Sequence, residues 1–287
     1  MDRVTIIGLG LVGGSLALAL KKSWGSGTHI IGCSRRSETV AKARERDIID
    51  VGADNPVDAV READLVIIAT PVLAIKNMLR DIAAGLKSDC VVTDAGSTKI
   101  KVMEWAAEYL PGNINFIGGH PMAGKEKSGI DEADADLFRN CVYCITPSPD
   151  ATREAIMSLQ GMVEVIGARP LVIDAEKHDK LVAGVSHLPM ILSAAFVSAT
   201  ADNPLWPEMA KIAAGGYRDL SRLASGNPEM NSDICATNKE QILHWLDRYI
   251  IELNKYRSLI DESGEDIKDE LQRAREAREK WLKGDKR

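Results

Sequence analysis

The stretch GGHPMAGKEKSG, residues 118–129, follows the apolar run INFI and sets His120 before Pro121 between glycines. Glycine supplies positive φ and proline holds φ near the turn value, so the pattern predicts a tight loop after a strand, with His120 at its mouth. An imidazole, with a reference pKa of about 6.5, is suited to take a proton near neutral pH from a group within hydrogen-bond reach. A second constellation lies at the start of the chain, where GLGLVGG follows the run VTII and opens the apolar stretch SLALAL. Gly8, Gly10 and Gly13 fit G-x-G-x-x-G in its strand-to-helix context, the pattern that lets a backbone approach a pyrophosphate. The amides of Leu11 and Val12 then lie at a helix start, where N–H groups hold phosphate.

These residues need a parallel sheet to position them. Short β-branched runs at 4–7, 29–33, 65–69, 91–94, 115–118, 142–146 and 171–173 alternate with helical stretches, which predicts parallel strands joined by helical crossovers. The second run ends in Cys33, Ser34, Arg35 and Arg36, where an NAD site would carry an acid for the ribose hydroxyl. A hydroxyl followed by two guanidinium groups suits a 2′-phosphate instead, so the expected cofactor is NADP in preference to NAD. Thr70 and Pro71 end the third run, and Asp94-Ala-Gly-Ser97-Thr-Lys99 follows the fourth. Loops at such strand ends line the ligand crevice. After Asp174 the strand signals stop and the chain reads as helix. The expected division is a dinucleotide-binding domain over residues 1–174 and a helical domain over 175–287.

Composition narrows the partners. The 287 residues carry a net charge of −6 with bases and acids interspersed, so no overall field attracts nucleic acid or an anionic membrane. No apolar run in the sequence is expected to span a bilayer, and the cytoplasm is the expected compartment. Cysteines 33, 90, 141, 144 and 235 sit mostly in strand-like runs, an odd number that favours reduced core thiols over disulfides. No second pair gives Cys141 and Cys144 a ligand set, and no metal is expected. The charge-rich tail from 261 to 287 reads as a solvated helix.

In combination, GLGLVGGSLA, ATP, DAGSTK, GGHPMAGKEKSG, VSHLP (185–189), GGYRDLSRLA (215–224) and GNPEM (226–230) resemble the prephenate and arogenate dehydrogenases over nearly the whole chain. The resemblance implies a modified Rossmann domain followed by an all-helical domain through which two subunits form a homodimer. It also implies oxidation of prephenate or arogenate with loss of CO2, in tyrosine biosynthesis. It makes His120 the catalytic histidine, Ser97 its hydrogen-bonding neighbour, and His187, Gly215 and Arg222 substrate-site residues. A guanidinium binds carboxylate bidentately, so Arg222, with Arg218 as the alternative, is the expected carboxylate clamp. Asp233 is a candidate contact for the ammonium that distinguishes arogenate from prephenate. Met190, Asn231 and Ser34 depart from the family's commonest form, and all three look closer to its NADP-using arogenate branch. Two other readings fit parts of the chain. A β-hydroxyacid dehydrogenase shares the domain order but leaves HPMAG unexplained, and a catalytically silent NADP-binding module would make His120 and Arg222 structural.

Overall fold

A computed structural model describes residues 2–125, 127–262 and 266–284; Glu126, within the GGHPMAGKEKSG stretch, and the last three residues of the tail lie outside them. Eight strands, β1 (Arg3–Ile7), β2 (His29–Cys33), β3 (Val51–Ala53), β4 (Leu65–Ile68), β5 (Val91–Asp94), β6 (Asn115–Pro121), β7 (Val142–Pro147) and β8 (Arg169–Val172), form one sheet in the order β3-β2-β1-β4-β5-β6-β7-β8. Helices α1 (Leu11–Trp24), α2 (Ser37–Glu45), α3 (Pro56–Val60), α4 (Val72–Ile82) and α5 (Ile100–Tyr109) make the crossovers, and α6 (Arg153–Val165) joins β7 to β8. The order reverses between β1 and β4, which creates the switch-point crevice at the carboxyl ends of those strands.

Side chains alternate across each strand, so each strand feeds two cores. Val4, Ile6, Leu65 and Ile67 pack with Leu16 and Leu20 of α1 on one face. Ile7, Val66 and Ile68 pack with Leu79 of α4 and Trp105 of α5 on the other. Burial on both faces explains why β4 reads LVII without a polar break.

Three expectations from the sequence are corrected. The strand β3 was not foreseen, because VGA is too short to stand out. The sheet is not wholly parallel: β6 and β7 are antiparallel, with His120 opposite Cys144. Among its described residues their connection carries a short 3-10 turn at Ile130–Glu132 and no crossover helix. Finally, His120 and Pro121 do not lie in a loop but end β6, and all seven residues of that strand are buried. Gly118 and Gly119 therefore serve packing and not a turn, since neither has positive φ. A Cβ on Gly119 would fall 2.3 Å from the backbone oxygen of Asp94, and one on Gly118 would fall 3.0 Å from the side chains of Lys99 and Met103.

Beyond Asp174 the chain is helical: α7 (Ala175–Val182), α8 (Leu188–Ala201), α9 (Trp206–Ile212), α10 (Gly215–Ser221), α11 (Pro228–Thr237), α12 (Lys239–Asp261) and α13 (Asp266–Gly284). The chain forms two compact units, Met1–Lys239 and Glu240–Arg287. In the second unit the Lys255–Glu270 ion pair, at 2.8 Å, ties α12 to α13. A π-helical turn, Ala183–His187, joins α7 to α8 into a run of 27 helical residues, Ala175–Ala201, long and apolar enough to cross a bilayer. The sequence expectation of no such run is thereby corrected. Its polar residues His178, Asp179 and His187 are buried, and Asp179 bonds to the backbone at the start of α5, which builds the run into the first unit. All five cysteines are unbridged, three of them buried.

Because Gly119 has no room for a side chain, Gly119→Ala is expected to destabilise the fold by about 3 kcal/mol, the upper range for overpacking. Denaturant unfolding of the variant against the parent checks this.

Candidate active site

The site is assembled at the carboxyl ends of β1, β4, β5 and β6, four neighbours in the sheet. At β1, Gly8 has a φ of 100°, and a Cβ there would lie 2.5 Å from the backbone oxygen of Ala69 and 3.1 Å from Thr70 Cγ2. The glycine loop thus lies directly against the Thr70-Pro71 loop that follows β4. A Cβ on Gly13 would strike the carbonyl of Gly8 at 1.9 Å, so helix and loop can approach only with glycine there. Gly10 faces open space within 4 Å. It caps α1 with no side-chain bond and no acid follows in the first turn, which leaves the helix-start amides of Leu11 and Val12 available to an anion. Thr70 Oγ1 is buried without a hydrogen-bond partner, a polar atom that a ligand in this crevice would satisfy. Ser34, Arg35 and Arg36 follow β2 beside the same crevice, and both arginines are exposed with no ion pair among the described residues. These features fit a dinucleotide.

At β6 the surroundings of His120 are built from buried charge. The Lys99 ammonium is fully buried and bonded to the Asp94 carboxylate, itself fully buried. Asp94 also accepts from the amides of Gly96 at 2.8 Å and Gly119 at 3.0 Å. Such a pair survives burial because extra hydrogen bonds saturate the carboxylate, and it locks the backbone just before His120. The imidazole of His120 does not pair with Ser97, the neighbour expected for it, but with a residue the sequence had not singled out: Nδ1 lies 2.9 Å from Nε2 of His178. His178 Nδ1 in turn lies 2.7 Å from Asp179 Oδ1. Asp179 Oδ1 and Oδ2 also accept the amides of Lys99 at 2.7 Å and Ile100 at 2.9 Å, capping α5 from another helix.

This arrangement assigns the protons. Asp179 accepts only, so His178 Nδ1 donates and its Nε2 accepts, and His120 Nδ1 must donate. The lone pair of His120 Nε2 is left for a substrate. A second histidine is fixed in the same way. Asn238 Nδ2 donates to the Asp179 carbonyl at 2.8 Å and lies 3.2 Å from His187 Nδ1, which makes that nitrogen an acceptor and Nε2 an N–H donor. His187 Nε2 is buried without a well-formed hydrogen bond, although the Ser97 backbone lies close enough to the ring to oppose the lowering of its pKa.

His178 and His187 are nine residues apart, which on a regular α-helix places them half a turn out of phase. The π-turn takes up one residue and closes that difference to about 80°. Pro189 explains its position, because proline offers no N–H to the turn before it. His120 and His187 are thus linked in one cluster, through His178, Asp179 and Asn238. Ser97 is half-buried in the loop beside them. Gly215, Arg218 and Arg222 are exposed on α10 and the 3-10 turn that follows, outside this buried cluster. Asp233 has a different task from the one expected: its buried carboxylate accepts the amide of Leu73 at 3.0 Å and caps α4. Asp94 and Lys99 were read only as part of a crevice-lining loop, without their ion pair, and His178, Asp179 and Asn238 went unread in the sequence. AEKHDK looks like an ordinary polar helix start, and only the adjacent His-Asp pair hinted otherwise.

Two family descriptions cover the chain: "Prephenate dehydrogenase, nucleotide-binding domain" matches residues 16–172 and "Prephenate dehydrogenase, dimerization domain" matches 174–274. The chain belongs to the prephenate dehydrogenase family. It is an oxidoreductase with a pyridine-nucleotide site. It is 39% identical over 263 residues to the prephenate dehydrogenase of Bacillus subtilis, covering 91% of this chain and 71% of that one. Synechocystis arogenate dehydrogenase has a similar structure, with a TM-score of 0.81, 32% identity, and coverage of 97% of this chain and 99% of that one. The prephenate dehydrogenase of A. aeolicus, solved with hydroxyphenyl propionate and NAD+, has a TM-score of 0.90 at 29% identity over 98% of each chain.

Burial, first, then the charges of His178, Lys99 and His187 hold the His120 imidazole well below its ordinary pKa. Burial likewise lowers His187 to about 4, against the opposing pull of Asp179. Both rings are neutral in the folded protein at neutral pH, while in the unfolded chain they bind protons below about 6.5. The unfolded state therefore takes up more protons as pH falls, and stability is expected to drop from about pH 6.5 towards pH 4, by up to about 1.4 kcal/mol per pH unit for each ring. Urea unfolding across that range, with His187→Asn giving a shallower slope, checks the sign.

Proposed function

We propose that the protein catalyses the NADP-dependent oxidative decarboxylation of prephenate or arogenate, as a cytoplasmic step of tyrosine biosynthesis. The observation that carries this reading is the alignment along one sheet edge. A dinucleotide cradle at β1 and β4 stands two strands from an imidazole at β6 whose Nε2 is left to accept a proton. Gly8, Gly10, Gly13, Leu11, Val12, Thr70 and Pro71 would hold the dinucleotide, and Ser34, Arg35 and Arg36 its 2′-phosphate. When bound, the cofactor takes hydride from the ring carbinol carbon.

His120 Nε2 accepts the hydroxyl proton as the carbinol becomes a carbonyl. Burial keeps the ring unprotonated at neutral pH, the state from which a base accepts a proton. Loss of CO2 from the opposite ring carbon then restores an aromatic ring, so the substrate itself drives the later chemistry. His187 Nε2–H offers a donor to a substrate oxygen, and Arg222, with Arg218 beside it, clamps a carboxylate. Ser97, in the loop after β5, would line the site beside His187. Residues 1–174 form the dinucleotide domain in this reading, and 175–287 the substrate and dimerisation domain. The match to a dimerisation-domain family and the exposed Leu243, Ile250, Ile251 and Ile260 support a homodimer.

His120→Asn is expected to bind cofactor normally and to lose at least ~10²-fold in turnover. Cofactor titration and steady-state assays decide the base assignment, and unchanged turnover removes it. Assay of each substrate with each cofactor tests the rest. NADP is expected to be used more efficiently than NAD, and Arg35→Ala with Arg36→Ala to raise the KM for NADP while leaving that for NAD near its parent value. An unchanged KM for NADP would remove these two arginines from the site.

A further inference from the structure

The function proposed above requires one proton acceptor, yet the structure supplies a chain of three groups. We propose that His178 and Asp179 form a buried proton relay behind His120, so that His178 is a positioning and proton-accepting residue for the reaction. This inference rests on the proposed dehydrogenase activity and adds a route for the proton within it.

The geometry is directional. Asp179 cannot donate, and its two oxygens are already held by the backbone amides of Lys99 and Ile100, so its place is fixed independently of the rings. From it the polarity runs outward through His178 Nδ1–H, His178 Nε2, His120 Nδ1–H and His120 Nε2. His120 is the outermost member, and even it is only 8% exposed, against 1% for His178 and 0% for Asp179.

Burial creates the need for such a chain. A proton arriving at His120 Nε2 would leave a cation in a buried site where the Lys99 ammonium opposes positive charge, and an uncompensated buried charge is costly. The step balances without a further reactant. The substrate O–H bond breaks and a bond forms from that proton to His120 Nε2. The His120 Nδ1–H proton moves onto His178 Nε2. The positive charge then rests on His178, in direct contact with the Asp179 carboxylate, and His120 is again neutral. Return of the protons in the opposite sense releases one to water after product leaves. Other groups facing His120 cannot take this part. Asp94 is engaged by Lys99 and two amides, and the Tyr143 and Cys144 side chains of β7 are held in their protonated forms by burial.

His178→Gln tests the relay. The glutamine oxygen can accept from His120 Nδ1–H and keep the ring oriented, but it cannot take up the proton and pass it on. The expected result is a fall in kcat on the order of 10²-fold with the KM for both substrate and cofactor within about twofold of the parent. The rate plotted against the D2O fraction of the solvent is expected to be curved in the parent, where two protons move, and linear in the variant. An unchanged kcat, or a loss expressed only in KM, overturns the relay. The parent measurement needs no variant to fold, and a linear plot there overturns the relay by itself while leaving the activity standing. A parent inactive with prephenate and arogenate under either cofactor instead removes the function proposed above, and the relay with it.

Discussion

The carboxylate of Asp179 is the constraint on which the site depends. It accepts two backbone amides at the start of α5 and one imidazole N–H, so a single buried anion fixes where the loop after β5 ends, where α7 docks and which tautomer His178 adopts. A buried charge is tolerated only when its lone pairs are used, and here each use positions something the chemistry needs. The same logic recurs one loop away, where Asp94 binds Lys99 and the amides of Gly96 and Gly119. The two carboxylates meet at Lys99, whose amide serves Asp179 and whose ammonium serves Asp94.

This explains a division of labour between the two ends of the crevice. The dinucleotide end is made by absence: missing side chains at Gly8 and Gly13 and open space at Gly10. The reacting end is made by saturation, with nearly every polar group satisfied within the protein. The exceptions stand out for that reason. Four side-chain atoms among the described residues are buried and unpartnered: Tyr143 Oη and Thr146 Oγ1 on β7, Thr70 Oγ1 beside the glycine loop and His187 Nε2 beside the histidine pair, and a bound cofactor and substrate would complete the last two.

The helical half contributes more than a scaffold. The proline after His187 and the π-turn before it bring two histidines that a regular helix would set on opposite sides into one cluster. Asn238, at the end of α11, ties His187 to Asp179, and His178 bonds Asp179 directly. Residues from β5, β6, α7, the π-turn and α11 therefore act as one unit, although the chain places them up to 144 residues apart in sequence.

Much of the architecture was legible in the sequence because it rests on local rules. The glycine spacing after VTII, the alternation of β-branched runs with helices and the end of strand signals at Asp174 are set by backbone sterics and by hydrophobic periodicity, which act over a few residues. His120 could be picked out for the same reason, since a histidine before a proline among glycines is an unusual local composition. What only the tertiary structure decided are the relations between distant segments: that His120 and Pro121 continue a buried strand antiparallel to its neighbour, that Asp233 caps a helix, and that His178 and Asp179 stand behind His120. Those depend on which buried polar group finds which partner, a choice made by three-dimensional packing and the cost of leaving a charge unsatisfied. No short stretch of residues encodes it.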